Sequence, residues 1–434
     1  MEKSSDLPPT LDKKTASGPI YKRYVNDVIP WFDSVAKRGS FNSQTLGTDG
    51  RPPVIQYCHV PAKGREGKNV PAIVFVLGWS ESFLKYKEIF YDLHKKYEGN
   101  INIWCMDHCS QGISGRWAAD DEYSDRGWNA DFRNYAKDQV HFINETTNIR
   151  KQKTSGPRFL FCHSMGGLVG THVVTMLPGV FEKIVLSAPM FTVKGLDGVP
   201  FSVLRAVAQV VDRALGKGKE WVPGAASKPD HRCPEPPGND TSNCIDRLEC
   251  WNIQRYQNPK VVVGGVTWGW LNQSNIHRCD PDTITKEVVD AFEMSDVLLL
   301  SCELESIVEP KSMVEFAEAV GTCEWVNVEG SLHEAFFERD EIRDWTFDRM
   351  MKFLKKKEKY SHEVTRKPPT RQTKMIKDTF WTSLVVLILA ILLGLISSHV
   401  RGFLFEKVIM GGVVGVDGVV GVVAGVEGIE VEEV

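Results

Sequence analysis

The stretch Arg158-Phe159-Leu160-Phe161-Cys162-His163-Ser164-Met165-Gly166-Gly167 decides the fold of this chain. Its first half is a short apolar run typical of a buried strand, and its second half turns through small residues into a helical pattern. A serine at such a junction presents its hydroxyl at the end of the sheet, and the next amide can face an oxyanion. Ser164 is therefore the candidate nucleophile. Cys162 replaces the first glycine of the usual Gly-x-Ser-x-Gly motif, and a buried strand followed by a tight turn is the simpler alternative.

The composition is that of a chain able to build a large core. The 434 residues are 42% hydrophobic and 25% charged, and the net charge is −4. These values exclude a disordered chain and give no basis for nucleic-acid binding. The ten cysteines include no Cys-x-x-Cys pair, so buried reduced thiols are expected. The N-terminus carries charges throughout and no apolar segment, so no secretory signal is expected.

Apolar runs of strand length alternate with amphipathic helical segments in residues 41–190 and 295–354. This alternation predicts an α/β fold, a doubly wound and mostly parallel sheet with helices on both faces. Between residues 191 and 294 the alternation stops, and we interpret this part as an inserted cap. The other predicted parts are an N-terminal extension (1–40), a basic linker (355–378), a transmembrane helix (379–400) and a Gly/Val-rich tail (401–434).

A serine hydroxyl becomes a strong nucleophile when a base removes its proton, and that base needs a third group to orient it. Glu305 lies just past the predicted strand 297–301, and His333 lies just past the predicted strand 324–328. Parallel strands bring such loops to one edge of the sheet, so both side chains are expected beside Ser164. A packed or surface histidine is the alternative interpretation of His333. The acid also has competitors, namely Glu303, Glu309 and, at the wrong end of its strand, Asp296.

Further segments extend this pattern. They are Leu77-Gly78-Trp79-Ser80-Glu81-Ser82, residues 107–115, residues 163–167, Ser187-Ala188-Pro189-Met190, Gly264-Gly265-Val266-Thr267-Trp268-Gly269-Trp270, residues 303–309 and His333-Glu334. With these motifs, residues 41–354 resemble the monoglyceride lipase and lysophospholipase branch of the α/β-hydrolases, nearest to the bacterial inner-membrane lysophospholipases. The chain departs from that family at three positions, with Leu77 for a histidine, Cys162 for a glycine and Glu305 for the aspartate of most members.

The resemblance implies an α/β-hydrolase fold and a triad of Ser164, Glu305 and His333. It also implies that the amides of Trp79 and Met165 form the oxyanion hole, and that no metal or organic cofactor is needed. The expected activity is hydrolysis of carboxylic esters of monoacyl glycerolipids, either lysophospholipids or monoacylglycerols. A peptidase or acyltransferase with the same triad, or a catalytically inactive scaffold, are the alternatives.

Residues 379–398 contain no charge, and about 20 apolar residues suffice to cross a bilayer. A buried core helix is the alternative, although this segment lies outside the hydrolase part. Lysine and arginine are more frequent before the segment than after it, which predicts a single-pass membrane protein with a cytosolic catalytic domain. The repeats His231-Arg232-Cys233 and His277-Arg278-Cys279 suggest zinc, but the close paired ligands of structural zinc sites are missing, so no metal site is predicted.

Overall fold

The computed structural model describes residues 18–63, 70–119, 125–147, 149, 156–194, 201–222, 241–279 and 283–356. The chain divides into two units, Met1–Pro369 and Thr370–Val434, and every described residue belongs to the first. The predicted transmembrane helix at 379–400 and the tail at 401–434 lie outside the described residues. Within the described ranges, no helix has both the length and the apolar character required to cross a membrane.

One sheet of eight strands runs through the described residues. The strands are β1 (Lys37–Asn42), β2 (Val54–Val60), β3 (Ala72–Val76), β4 (Asn102–Met106), β5 (Arg158–His163), β6 (Lys183–Ser187), β7 (Asp296–Cys302) and β8 (Cys323–Val328). Their order across the sheet is β1-β2-β4-β3-β5-β6-β7-β8. The pairs β1–β2 and β2–β4 are antiparallel, and the remaining pairs are parallel. The predicted mostly parallel sheet is therefore present, with β5 near its centre.

Helices cover both faces of this sheet. They are α1 (Pro19–Arg23), α2 (Ile29–Val35), α3 (Lys87–Lys96), α4 (Arg133–His141), α5 (Met165–Met176), α6 (Phe201–Gln209), α7 (Ile245–Gln257), α8 (Trp268–Ile276), α9 (Lys286–Phe292), α10 (Pro310–Ala319) and α11 (Asp340–Lys355). All five residues of β3 and of β6 are buried, as is typical of parallel strands covered on both sides. Alternate residues of β3 and β5 therefore belong to two separate hydrophobic clusters, one on each face.

The segment predicted as an N-terminal extension packs onto the hydrolase core. β1 begins at Lys37, before the predicted boundary at residue 41, because it pairs with β2 as the edge hairpin. Tyr24 and Phe32 are buried, and Arg23 forms an ion pair with Glu88 of α3 at 2.7 Å. Burial of aromatic side chains gives this region a packing role that its polar sequence did not indicate.

The region between β6 and β7, which the sequence predicts as an inserted cap, contains α6, α7, α8 and α9. Thr267 begins α8, and its side chain accepts a hydrogen bond from the amide of Trp270, as N-cap residues do. The nine described cysteines are free thiols, and only Cys323 among them is partly exposed.

Candidate active site

Ser164 occupies a strained turn between β5 and α5. Its backbone has φ 50° and ψ −120°, a conformation that a non-glycine residue keeps only when its surroundings impose it. Its N–H donates to the carbonyl of Ser187 at 3.1 Å, and its own carbonyl accepts from the amides of Gly167 (2.7 Å) and Met190 (2.8 Å). These bonds to β6 and its following loop hold the turn, and such strain clusters at functional sites.

The turn is also packed too tightly for larger side chains. A Cβ on Gly166 would lie 2.2 Å from the carbonyl oxygen of Val76, a backbone atom of β3. Cys162, at the position of the usual first glycine, is fully buried. Its Sγ would be 2.6 Å from a Cβ on Gly170, so the absent side chain of Gly170 leaves the room that the thiol fills. This contact explains how the turn tolerates Cys162.

The structure brings together the three side chains singled out from the sequence. Ser164 Oγ lies 2.8 Å from Nε2 of His333, and Nδ1 of His333 lies 2.7 Å from Oε2 of Glu305. The other oxygen of Glu305 accepts from the amides of Ile307 (2.8 Å) and Val308 (3.2 Å). Burial alone raises the pKa of Glu305, but the contact with His333 and these amides outweighs it and holds the pKa below its usual range. Glu305 therefore favours the tautomer in which His333 Nδ1 carries a proton and Nε2 can accept one.

The competing acids make other contacts. Glu303 accepts from the amide of Gly330 at 2.8 Å, and Glu309 is the N-cap residue of α10. Asp296 is the first residue of β7, at the opposite end of the strand from Glu305. Among these acids, only Glu305 contacts the imidazole of His333.

The two amides implied as the oxyanion hole belong to Met165, next to Ser164 in the chain, and to Trp79 in the loop after β3. Met165 is the first residue of α5, where backbone N–H groups have no partner within the helix. Trp79 follows Gly78, and a Cβ on Gly78 would lie 3.1 Å from Cβ of Ser164. The loop after β3 therefore passes directly beside the candidate nucleophile, as an oxyanion hole requires.

Aromatic residues of the cap reach this loop. The Trp79 ring packs against the Trp270 ring of α8, with centroids 4.8 Å apart, and Trp270 also contacts Phe132 at 5.5 Å. Trp251 of α7 packs instead into the hydrophobic cluster on the other face of the sheet. In the region predicted as a cap, α8 therefore packs against the loop of Trp79.

A buried carboxylate, Glu81, lies next to these groups, and the sequence did not indicate a role for it. Oε2 of Glu81 accepts from the amide of Gly78 at 2.6 Å and from the hydroxyl of Tyr86 at 2.7 Å. The same oxygen lies 3.2 Å from Nδ1 of His163, and Oε1 lies 3.1 Å from Nζ of Lys85. Glu81 is 3% exposed. Its position soon after a buried strand indicated that it could lie near the site, but its partners are distant in sequence and could not be predicted.

This group of charges continues toward the loop of His333. Nζ of Lys85 also donates to Oε1 of Glu334 at 2.5 Å, and Nε2 of His163 lies 3.5 Å from the carbonyl oxygen of His333. Burial alone raises the pKa of Glu81, but His163 and Lys85 outweigh it and hold the pKa well below its usual range. Burial lowers the pKa of His163, but Glu81 outweighs that effect and raises it above its ordinary value.

The residues that suggested zinc do not assemble in the described ranges. His277 contacts Asp131 at 3.1 Å, while His231 and Cys233 lie outside the described residues. Within the residues that the structure describes, no three His, Cys, Asp or Glu side chains are grouped so as to bind a metal ion.

Comparison with known proteins gives a family and a fold. The family model described as serine aminopeptidase, S33, matches residues 67–340, more than half of the chain. A probable lysophospholipase L2 of Haemophilus influenzae is 25% identical over 272 residues, covering 62% of this chain and 79% of the relative. Lysophospholipase L2 of Escherichia coli K12 is 27% identical over 306 residues, covering 65% and 79%.

Two solved structures have the same fold. A soluble variant of monoglyceride lipase from Saccharomyces cerevisiae, in complex with a substrate analog, has a TM-score of 0.56 at 14% identity, covering 74% of this chain and 95% of its own. A carboxyl esterase from Bacillus coagulans has a TM-score of 0.54 at 15% identity, covering 74% and 98%. The predicted α/β-hydrolase fold is confirmed.

Proposed function

This chain belongs to the serine aminopeptidase S33 family, and from that premise we propose that it cleaves carboxylic esters of monoacyl glycerolipids through an acyl-serine intermediate. It is a carboxylic ester hydrolase of the lysophospholipase and monoglyceride lipase type. The proposed substrates are lysophospholipids or monoacylglycerols, because the relatives that it matches over most of their length are named lysophospholipases.

One observation carries the mechanism. Ser164 Oγ and Glu305 Oε2 contact the two different nitrogens of His333, at 2.8 and 2.7 Å. A neutral imidazole held in this way can accept the proton of the hydroxyl while the carboxylate stabilises the imidazolium that forms. All three groups are buried, so water does not weaken these contacts.

The reaction follows from these positions. Ser164 Oγ attacks the ester carbonyl while Nε2 of His333 takes its proton, and the amides of Trp79 and Met165 stabilise the oxyanion. The tetrahedral intermediate then collapses, and the proton on His333 passes to the departing alcohol. Water, deprotonated by the same nitrogen, attacks the acyl-serine. The second tetrahedral intermediate then releases the fatty acid while the proton passes from His333 to Ser164 Oγ, which restores the hydroxyl. Removing one oxyanion donor typically lowers the rate by about 10²- to 10³-fold.

The test is labelling of the full-length protein with a fluorophosphonate, which reacts with activated serines. We expect rapid labelling of the wild type and none of Ser164→Ala. The matched control is Ser187→Ala, which removes another buried hydroxyl at the end of β6 and should be labelled like the wild type. Undiminished labelling of Ser164→Ala would eliminate Ser164 as the nucleophile.

A substrate panel identifies the bond that is cleaved. Lysophosphatidylcholine, a monoacylglycerol and an amino-acid anilide are each incubated with the wild type and with Ser164→Ala. We expect release of fatty acid from one or both lipids. The family description raises a peptidase as the second candidate, and cleavage of the anilide alone would favour it.

We further propose that the enzyme acts at a membrane surface. Residues 379–398 are long enough to span a bilayer, and the basic residues before them favour a cytosolic catalytic domain with access to lipids of the adjoining leaflet. Protease treatment of sealed microsomes tests this topology. We expect the protease to digest the hydrolase part. Protection of that part would show the opposite orientation, and its presence outside the membrane fraction would exclude a membrane anchor.

A further inference from the structure

We infer that Glu81 is a positioning residue. Its buried carboxylate fixes the loop after β3 that carries Gly78 and Trp79, here called the oxyanion loop, and the turn before Ser164 in one arrangement. The inference rests on the proposed function, because the groups that Glu81 holds are those around Ser164. Glu81 forms hydrogen bonds with Gly78 and His163 but not with Ser164, so it would act through these two residues rather than on substrate.

The oxyanion loop needs such a group. Gly78 has no Cβ and therefore wide conformational freedom, and the next peptide carries the amide of Trp79. Ser80, two residues on, has φ 58°, so the chain bends sharply here. A carboxylate that accepts the N–H of Gly78 at 2.6 Å fixes that peptide by a charge-assisted hydrogen bond and so restricts the direction of the following amide.

The same oxygen of Glu81 also holds the residue before the nucleophile. His163 ends β5, and its Nδ1 lies 3.2 Å from Oε2 of Glu81. A Cβ on Gly78 would stand 2.9 Å from this carboxylate oxygen, 3.1 Å from Nδ1 of His163 and 3.1 Å from Cβ of Ser164. The oxyanion loop, the carboxylate, the imidazole and the nucleophile thus meet with no space between them.

Through Lys85, the contacts extend to the loop after β8, which carries His333 and Glu334. The ammonium group of Lys85 lies between Glu81 (3.1 Å) and Glu334 (2.5 Å), and Glu334 is the residue after His333. Burying two carboxylates, a lysine and a histidine together is unfavourable compared with apolar packing of the same volume. The charged groups facing Glu81 and His163 are Lys85 from the loop after β3 and Glu334 from the loop after β8. His108, after β4, also faces Glu81, and burial lowers its pKa to about 4. This is the arrangement expected if the cluster fixes the geometry of the site.

The experiment uses full-length Glu81→Gln, which keeps the shape of the side chain and an acceptor for Gly78 but removes the charge. We expect the rate constant for fluorophosphonate labelling, and kcat for a lipid ester, to fall about 10- to 100-fold with KM changed less than twofold. The pKa of His163, followed by NMR of the histidine side chains, should fall because Glu81 no longer stabilises its charged form.

The matched control is Glu88→Gln. Glu88 is also a buried carboxylate, paired with Arg23 and Arg247 at 2.7 and 2.9 Å. It lies on α3, and within the described residues it forms no ion pair or hydrogen bond with Ser164, Glu305 or His333. It should lose stability without a comparable loss of rate. Equal labelling rates for Glu81→Gln, Glu88→Gln and the wild type would overturn the inference.

A second variant covers the case in which Glu81→Gln does not fold. Tyr86→Phe removes one donor to Oε2 of Glu81 and leaves every charge in place. We expect its labelling rate to fall by about threefold to tenfold, less than a full donor deletion, and an unchanged rate would overturn the inference. An unlabelled wild type would overturn the proposed function, whereas a labelled wild type with unaffected variants would overturn this inference alone.

Discussion

The close approach of Cys162 to Gly170 predicts that Gly170→Ala changes the free energy of unfolding in opposite directions with and without the Cys162 side chain. In Gly170→Ala, the new Cβ would lie 2.6 Å from Sγ of Cys162 and 3.5 Å from its Cβ, with nothing else within 4 Å. Overpacking of this kind destabilises by about 1 to 3 kcal/mol, whereas alanine in a helix interior is about 1 kcal/mol better than glycine. Gly170→Ala alone should therefore lower the free energy of unfolding by up to about 2 kcal/mol.

In the Cys162→Gly background, the same substitution meets no atom and only the helix-propensity gain remains. Gly170→Ala should then raise the free energy of unfolding by about 1 kcal/mol, so the two substitutions should be coupled by about 1 to 3 kcal/mol. Urea unfolding of the four full-length proteins, followed by tryptophan fluorescence, measures this coupling from the midpoints at a common slope.

Gly166→Ala is the control from the same helix. Its Cβ would meet the carbonyl oxygens of Val76 and Leu77, so Cys162→Gly should not relieve it, and the coupling should be near zero. If Gly170→Ala has the same effect in both backgrounds, the explanation of Cys162 by the space at Gly170 is refuted.

Two further predictions concern buried aspartates. Burial raises the pKa of Asp138 to about 6, whereas in the unfolded chain it is about 4. The protonated carboxyl therefore contributes its whole stabilisation below about pH 4, and this contribution is lost as the pH rises through about 6. Asp138→Asn, still able to accept from Ser43, should therefore be less destabilising at pH 8 than at pH 5 by about 1 kcal/mol in urea unfolding, and a pH-independent difference would contradict this. Gly112→Ala should strongly slow fluorophosphonate labelling, because its Cβ would lie 2.0 Å from the carboxylate of Asp107, which accepts from the loop after β3. Gly50→Ala, with a similar positive φ and open space, should lose only about 1 kcal/mol of stability from backbone strain and label normally; equal labelling of both would refute the steric argument.

The sequence was sufficient to predict the strands that carry the site. β3, β5, β6 and β7 are continuous apolar runs, and a parallel sheet places the loops after them at one edge. That rule alone placed Glu305 and His333 near Ser164. It worked because each side chain lies a few residues past a strand, where backbone topology dictates position. Their catalytic roles stay predictions until the labelling experiment is done.

The charged cluster around Glu81 could not be predicted in the same way. His163 is 82 residues from Glu81, and Glu334 is 249 residues from Lys85. Hydrophobic periodicity reports which face of an element is buried, but it does not report which polar side chains meet inside. The packing of the N-terminal helices was missed for a related reason. Arg23 forms partly buried ion pairs with Glu88 and Asp92, and in the sequence such charged residues resemble those of an exposed surface.

The order of the strands has a consequence for biosynthesis. Ser164 follows the fifth strand, but its partner imidazole lies 169 residues later, past β7 and β8. At a translation speed of about 5 to 20 residues per second, a ribosome needs roughly 10 to 30 s to synthesise the intervening chain. During that interval the nascent polypeptide carries Ser164 without His333, so in the proposed mechanism esterase chemistry begins only when the last strands have been added.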